Sequence, residues 1–196
     1  MTSPRRICVY AGSNGGARPA YAAGARALGA ELARRGVGLV YGGGHVGLMG
    51  AVADAVLGAG GEAIGIIPEA LMRRELGHRG LTELRVVGSM HERKAQMAEL
   101  ADGFVALPGG IGTLEELVEV MTWSQLGIHA KPCGVLDVGG FYAGLQAVLD
   151  HMVAEGFLHP GHRAGLLAER EPGLLLDRLA GWEPPDVHKW LDLARS

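Results

Sequence analysis

Only two cysteines, Cys8 and Cys133, occur among the 196 residues, and they form no C-x-x-C pair. Both sit in strand-like apolar runs, so they are read as buried free thiols of a reducing compartment. Excess positive charge is also missing: the formal net charge is −3, and lysine is confined to Lys94, Lys131 and Lys189. Bulk electrostatics give no reason to expect binding to nucleic acid or to an anionic membrane, so any anion site has to be local. Behind Arg5-Arg6 only Ile7 to Ala11 are apolar before a glycine loop begins. That run is too short for a signal-peptide core and far too short to span a bilayer, and a cytoplasmic protein is expected. The histidines show no ligand spacing and no metal site is expected; His45 and His91, near loops, are read as satisfied polar residues. There is no G-x-S-x-G elbow and no obvious Ser/His/Asp set.

Glycine, by contrast, is abundant at 33 residues. It shows no three-residue period, which excludes collagen, and it clusters where apolar runs end, as turns do. Ile7–Ala11, Val37–Tyr41, Ala63–Ile67, Leu84–Val87, Phe104–Leu107 and Gly134–Val138 read as six strands. Between them lie amphipathic stretches, among them Ser89–Leu100, Thr113–Leu126 and the stripe Phe141, Leu145, Val148, Leu149 and Met152, which read as helices. Strands that are apolar throughout and alternate with helices predict an α/β, Rossmann-like doubly wound parallel sheet with helices on both faces. The expected organisation is a single nucleotide-binding domain over 1–196, with about 160–196 as a helical or irregular C-terminal appendage holding a short helix near Leu174–Leu179. Arg73–Gly80 reads as an exposed polar loop or short helix.

Leu107-Pro108-Gly109-Gly110-Ile111-Gly112-Thr113-Leu114-Glu115-Glu116 joins a strand to a helix, the place where α/β proteins bind phosphate. Glycines let the backbone approach a ligand, and the first N–H groups of the helix face whatever anion sits there. The same residues admit a plainer account, because Thr113 with Glu116 is a capping box, S/T-x-x-E. Capping alone requires neither three glycines nor a Pro-Gly-Gly lead-in. Gly42-Gly43-Gly44-His45-Val46-Gly47 satisfies G-x-G-x-x-G between a strand and a helix. It follows the second strand, and Glu62, about twenty residues on, starts a strand where a ribose-binding acid would end one, so a mononucleotide phosphate loop is the better reading. On the helix after Ser89, Met90, Arg93, Met97 and Leu100 share one stripe, which puts a guanidinium on an apolar face beside Lys94, as a phosphate or purine edge requires. For a lone arginine, snorkelling to solvent would be the better reading; its place near the carboxyl edge of the sheet is what favours a ligand.

Gly12-Ser13, Tyr41-Gly42-Gly43-Gly44-x-x-Gly47-Leu48-Met49-Gly50, Met90-His91-Glu92-Arg93-Lys94, Pro108 to Glu116, and Thr122-Trp123-x-Gln125-Leu126-Gly127-Ile128-His129-x-Lys131-Pro132 together resemble the LOG ("Lonely guy") family of cytokinin-activating phosphoribohydrolases, long mislabelled as lysine decarboxylases. The likeness runs in order from about residue 6 to about residue 158. It departs at His45, where the family more often has Ser or Asn. The resemblance implies hydrolysis of the N-glycosidic bond of an N6-substituted adenosine 5′-monophosphate, releasing free base and ribose 5-phosphate, by a homodimer with no metal or redox cofactor. It puts the catalytic pair on Arg93 and Glu116 and substrate contacts on Ser13, Gly43, Gly44, Gly47, Met49, Arg74, Met90, Lys94, Gly109, Gly110, Gly112 and Thr113. A nucleotide- or cofactor-carrying protein of the same fold is the alternative; Arg93 and Glu116 together argue against it, since carriage gains nothing from a carboxylate near a phosphate. A pyridoxal-dependent decarboxylase would need a Schiff-base lysine, for which the matched region holds only Lys94 and Lys131.

Overall fold

The computed structural model describes residues 4–72 and 77–185. Each of the six apolar runs forms a strand and a seventh joins them among the described residues: β1 (Arg6–Tyr10), β2 (Gly38–Tyr41), β3 (Ala63–Pro68), β4 (Glu83–Val87), β5 (Gly103–Ala106), β6 (Cys133–Leu136) and β7 (Leu166–Glu169). They form one sheet in the order β4-β3-β2-β1-β5-β6-β7, and every pairing is parallel. The central register is set on β1, where Cys8 stands opposite Val40 on one side and Phe104 on the other. The winding direction reverses between β1 and β5, and sheets of this kind bind ligands beyond the strand ends at such a switch point.

The helices are α1 (Pro19–Arg34), α2 (Gly47–Gly58), α3 (Glu69–Met72), α4 (Met90–Leu100), α5 (Ile111–Gln125), α6 (Ala143–Ala154), α7 (Pro160–Ala164) and α8 (Pro172–Ala180). Side chains of a strand point alternately to its two faces, and two cores result. Ile7 and Val9 pack into one, with Leu28 and Leu32 of α1, Val52 and Val56 of α2 and Leu175 of α8. Cys8 and Tyr10 pack into the other, with Met97 of α4, Leu117 and Val120 of α5 and Leu149 of α6. Both cysteines are free and buried. No helix among the described residues is long and apolar enough to cross a membrane.

Three local readings change. β4 is not a buried strand: it is the sheet edge, only Val87 is buried, and Arg85 pairs with Glu83 at 2.7 Å on its open side. The sixth strand stops at Leu136, because Val138–Gly140 turns into a 3-10 segment with Gly139 at φ 63°. The region after His159 contains more than a short helix. Leu166–Glu169 pairs with β6 as the seventh strand, and Leu175, Leu176 and Leu179 of α8 are buried against the first core.

Candidate functional site

Of the residues singled out from sequence, Ser13, Met49, Met90, Arg93, Gly110, Gly112, Thr113 and Glu116 line a cavity of about 360 Å³ that opens at the carboxyl end of β1, β2 and β5. Its walls differ in chemistry. One part is apolar, with Met49, Leu71, Met90 and Met97; another is polar, with Ser13, Arg93, Thr113 and Glu116; and backbone is offered by Gly12, Gly42, Gly110 and Gly112.

The polar end is the start of α5. Its N-cap is Gly110, in extended conformation, with no side-chain cap bond and no acidic residue in the first turn, and the first helical bond runs from Leu114 N to Gly110 O. The N–H groups of Ile111, Gly112 and Thr113 therefore precede the ladder and, with the positive end of the helix dipole, make a cradle for an anion. A Cβ built on Gly110 or Gly112 would meet nothing within 4 Å, so these two glycines present bare backbone to open space. Gly109 differs: a Cβ there would lie 2.1 Å from Thr113 Oγ1, so this glycine is where the turn folds back over the Thr113 side chain. The capping-box account fails for the same reason. Thr113 is the third residue of the helix and buried, not its N-cap.

Glu116 consequently has another neighbour. Its Oε1 lies 3.6 Å from Nη2 of Arg93, with the two side chains 11% and 7% exposed. Ser89, the N-cap of α4, accepts from Glu92 N at 3.1 Å and sets where that helix begins, so that Arg93 and Met97 face inward while His91 and Glu92 face solvent. Arg93 does not snorkel. Its Nη1 reaches Met90 Sδ at 3.7 Å, and its buried Nε has no hydrogen-bond partner among the described residues. Beneath the pair, burial first, then the neighbouring Cys8 and Glu116, push the Tyr10 phenol well above its ordinary pKa, and burial does the same to the Cys8 thiol. Both stay neutral, so the site's charge is that of the arginine and the carboxylates.

Other predicted contacts are placed elsewhere. Lys94 does not line the cavity. Its Nζ donates to Glu115 Oε1 at 2.6 Å and to Glu119 Oε1 at 2.9 Å, so it joins α4 to α5. Partial burial pulls its pKa down, but the hydrogen bonds to Glu115 and Glu119 outweigh that and leave it raised. Gly43, Gly44 and Gly47 also lie behind the wall. Gly43 and Gly47 have φ of 75° and 64°, conformations natural to glycine, and Gly43 O accepts from His78 N at 3.0 Å while Gly44 bridges Gly77. Glu62 pairs with Arg6 at 2.9 Å at the opposite edge of the sheet, out of reach of the cavity. Arg74 lies outside the described residues. Leu71, Met97, Tyr10 and Glu115 also line the cavity without having been singled out as contacts; of these, Met97 lies on the Arg93 stripe and Glu115 within the glycine-loop motif. His78 donates from Nε2 to Asp54 at 2.9 Å, because its Nδ1 accepts from Gly80 N, and packs 5.6 Å from the exposed His45 ring. Among the described residues, no group of three or more His, Cys, Asp and Glu gathers where it could hold a metal ion.

The fold and this cavity define a Rossmann-like α/β protein whose ligand site, at the switch point, pairs a helix-terminus anion cradle with a buried arginine and glutamate. Comparison with known proteins narrows the class. A family model described as "Possible lysine decarboxylase" matches residues 49–179. A rice protein (Oryza sativa subsp. japonica) named "Probable cytokinin riboside 5'-monophosphate phosphoribohydrolase LOGL9" is 53% identical over 180 residues, 92% of this chain and 79% of that protein. Cytokinin riboside 5'-monophosphate phosphoribohydrolase LOG7 of Arabidopsis thaliana is 49% identical over 180 residues, 92% of this chain and 83% of that one. The chain belongs to this LOG family of phosphoribohydrolases. Among solved structures, the molybdenum cofactor carrier protein of Chlamydomonas reinhardtii superposes with a TM-score of 0.67 at 18% identity, covering 90% of this chain and 98% of that one; these values show a shared fold.

Proposed function

We propose that the protein hydrolyses the N-glycosidic bond of N6-substituted adenosine 5′-monophosphates, releasing the free base and ribose 5-phosphate. Its relatives at about half identity carry the name of that reaction. The observation that carries the reading is the Arg93–Glu116 pair, buried between an anion cradle and an apolar wall in one cavity. A 5′-phosphate on the N–H groups of Gly110, Gly112 and Thr113, with Ser13 beside it, leaves the base toward Met49, Leu71, Met90 and Met97. The ribose then lies near Glu116.

Cleavage passes through an oxocarbenium-like ribose, which the Glu116 carboxylate stabilises while orienting the attacking water. The departing purine gathers negative charge, which Arg93 offsets as a fixed cation, since a guanidinium donates hydrogen bonds but does not give up its proton. Arg74 is proposed as a further substrate contact.

We also propose a homodimer located in the cytoplasm. Support for the dimer is the apolar outer face of α5 and α6. The apolar periodicity of α5 covers two faces: Leu117 and Met121 are buried, whereas Ile111 is 83% exposed and Leu114 and Val118 are exposed with it; Phe141, which shares a cavity with Ile111 and Leu114, and Val148 and Met152 of α6 are exposed too. A second copy of the chain is the occupant proposed for that face. The free thiols support a reducing compartment.

The test is metal-free incubation with AMP and with isopentenyladenosine monophosphate, following base and ribose 5-phosphate by chromatography. Release from monophosphates but not from the nucleosides is expected, and the ratio of the rates identifies the preferred base. Tight nucleotide binding without release refutes the hydrolase and supports a carrier.

A further inference from the structure

We infer that Gly42 is a positioning residue of this site: the missing Cβ is the seat of the Arg93 guanidinium. The inference rests on the proposed function in one respect, that Arg93 acts on the substrate.

Glycines in a strand-to-helix loop are ordinarily explained by a turn or by close approach to phosphate. The turn does not explain Gly42, and its place in the cavity wall does not by itself require a bare Cα. Gly43 and Gly47 occupy the left-handed region, but Gly42 is not among the residues that do, so its backbone would accept any side chain. What excludes a side chain is Arg93. A Cβ on Gly42 would stand 2.0 Å from Nη2, 3.0 Å from Cζ and 3.5 Å from Nε, and these three closest atoms all belong to that one guanidinium.

The other contacts of the group are long. Nη1 reaches only a thioether at 3.7 Å, Nη2 lies 3.6 Å from Glu116, and Nε has no hydrogen-bond partner among the described residues. Shape rather than hydrogen bonding therefore sets the position of the charge. α4 brings Arg93 in over the end of β2, and the flat cation lies against the bare Cα of the first residue beyond that strand.

A methyl group at Gly42 must push Nη2 outward by an ångström or more to reach an ordinary contact of about 3.5 Å. The displaced atoms are the far end of a flexible side chain bordering an open cavity, so the fold accommodates the change. A misplacement of about 1 Å at a reacting group costs on the order of 100-fold in rate.

Gly42→Ala is expected to keep a wild-type melting temperature, to lower kcat on AMP about 100-fold with a smaller change in KM, and to shift the Arg93 Nε–H resonance in NMR spectra. In an Arg93→Lys background, which has no Nη2 branch, the same Gly42→Ala change is expected to cost less than about threefold. Equal losses in both backgrounds, undiminished turnover of Gly42→Ala, or an unmoved Nε–H signal would overturn the inference. Wild-type protein that releases no base fails the functional reading instead, and the Nε–H signal then still decides whether Gly42 seats the guanidinium.

Discussion

Replacing Lys94 with methionine separates two accounts of that residue. Motif likeness puts it on the substrate anion; the fold puts it between Glu115 and Glu119, as a brace from the helix of Arg93 to the helix of Glu116. The Lys94 side chain is 15% exposed, with Glu115 at 52% and Glu119 at 25%. A pair as open as the first is worth about 0.5 kcal/mol and the more sheltered one about 1 kcal/mol. Removing the cation also leaves two like charges four residues apart on α5, unfavourable by a few tenths of a kcal/mol. Methionine retains the apolar stem of lysine, so little packing is lost. The expected loss is about 2 kcal/mol, which lowers the Tm by roughly 4–8 °C for a chain of this size. Glu115 lines the cavity, and its unneutralised carboxylate would repel a phosphate, so KM for AMP should rise about two- to fivefold. Adding Glu115→Gln should return KM toward wild type. Thermal melting and initial-rate kinetics on the two variants measure both quantities. A direct ammonium–phosphate bond, worth about 2–3 kcal/mol, would instead raise KM by roughly 30- to 150-fold. That outcome with an unchanged Tm would refute the brace.

Two other expectations bear on different parts of the molecule. Glu116→Gln keeps the shape of the side chain but removes the charge facing the ribose, and kcat should fall about 10²- to 10⁴-fold; near-wild-type turnover would end the assignment of Glu116. Burial holds the His129 imidazole, packed 5.2 Å from the Phe104 ring, below its ordinary pKa. Its contribution to stability is therefore full above the unfolded value of about 6.5 and is lost as pH falls through the lower folded value. Tm should drop below pH ~6.5 in wild type and less in His129→Gln, and parallel profiles would show that another group is responsible.

How much could be read without the fold varied with the range of the interaction. Strands ended by glycine or proline, the glycine loops and the start of α4 after Ser89 depend on neighbours close in sequence, and they were legible. The seventh strand was not: Leu166–Glu169 is a short run in a charged, proline-containing tail, and its reason to be extended is the edge of β6. Thr113 with Glu116 has capping-box spacing, yet α5 begins at Ile111, because extended Gly110 takes the cap position. The exposure of Ile111, Leu114 and Val118 was hidden in the same way, since an apolar period reports that a helix is amphipathic but not how many of its faces are covered.

By itself the sequence determined that this is a doubly wound α/β protein with its glycine loops at one sheet edge and that its family is LOG, and through that likeness it singled out Arg93 and Glu116, which the fold brings to one cavity. Those conclusions rest on local periodicity, turn chemistry and motif order, which the chain carries along its length. Only the tertiary structure decided what each residue meets there. Arg93 and Glu116 lie on different helices, and their 3.6 Å approach, the guanidinium over Gly42 and the diversion of Lys94 to Glu115 and Glu119 all follow from how α4 and α5 pack over β1, β2 and β5. Contacts between elements distant in sequence are set by packing, and no pattern along the chain encodes their distances.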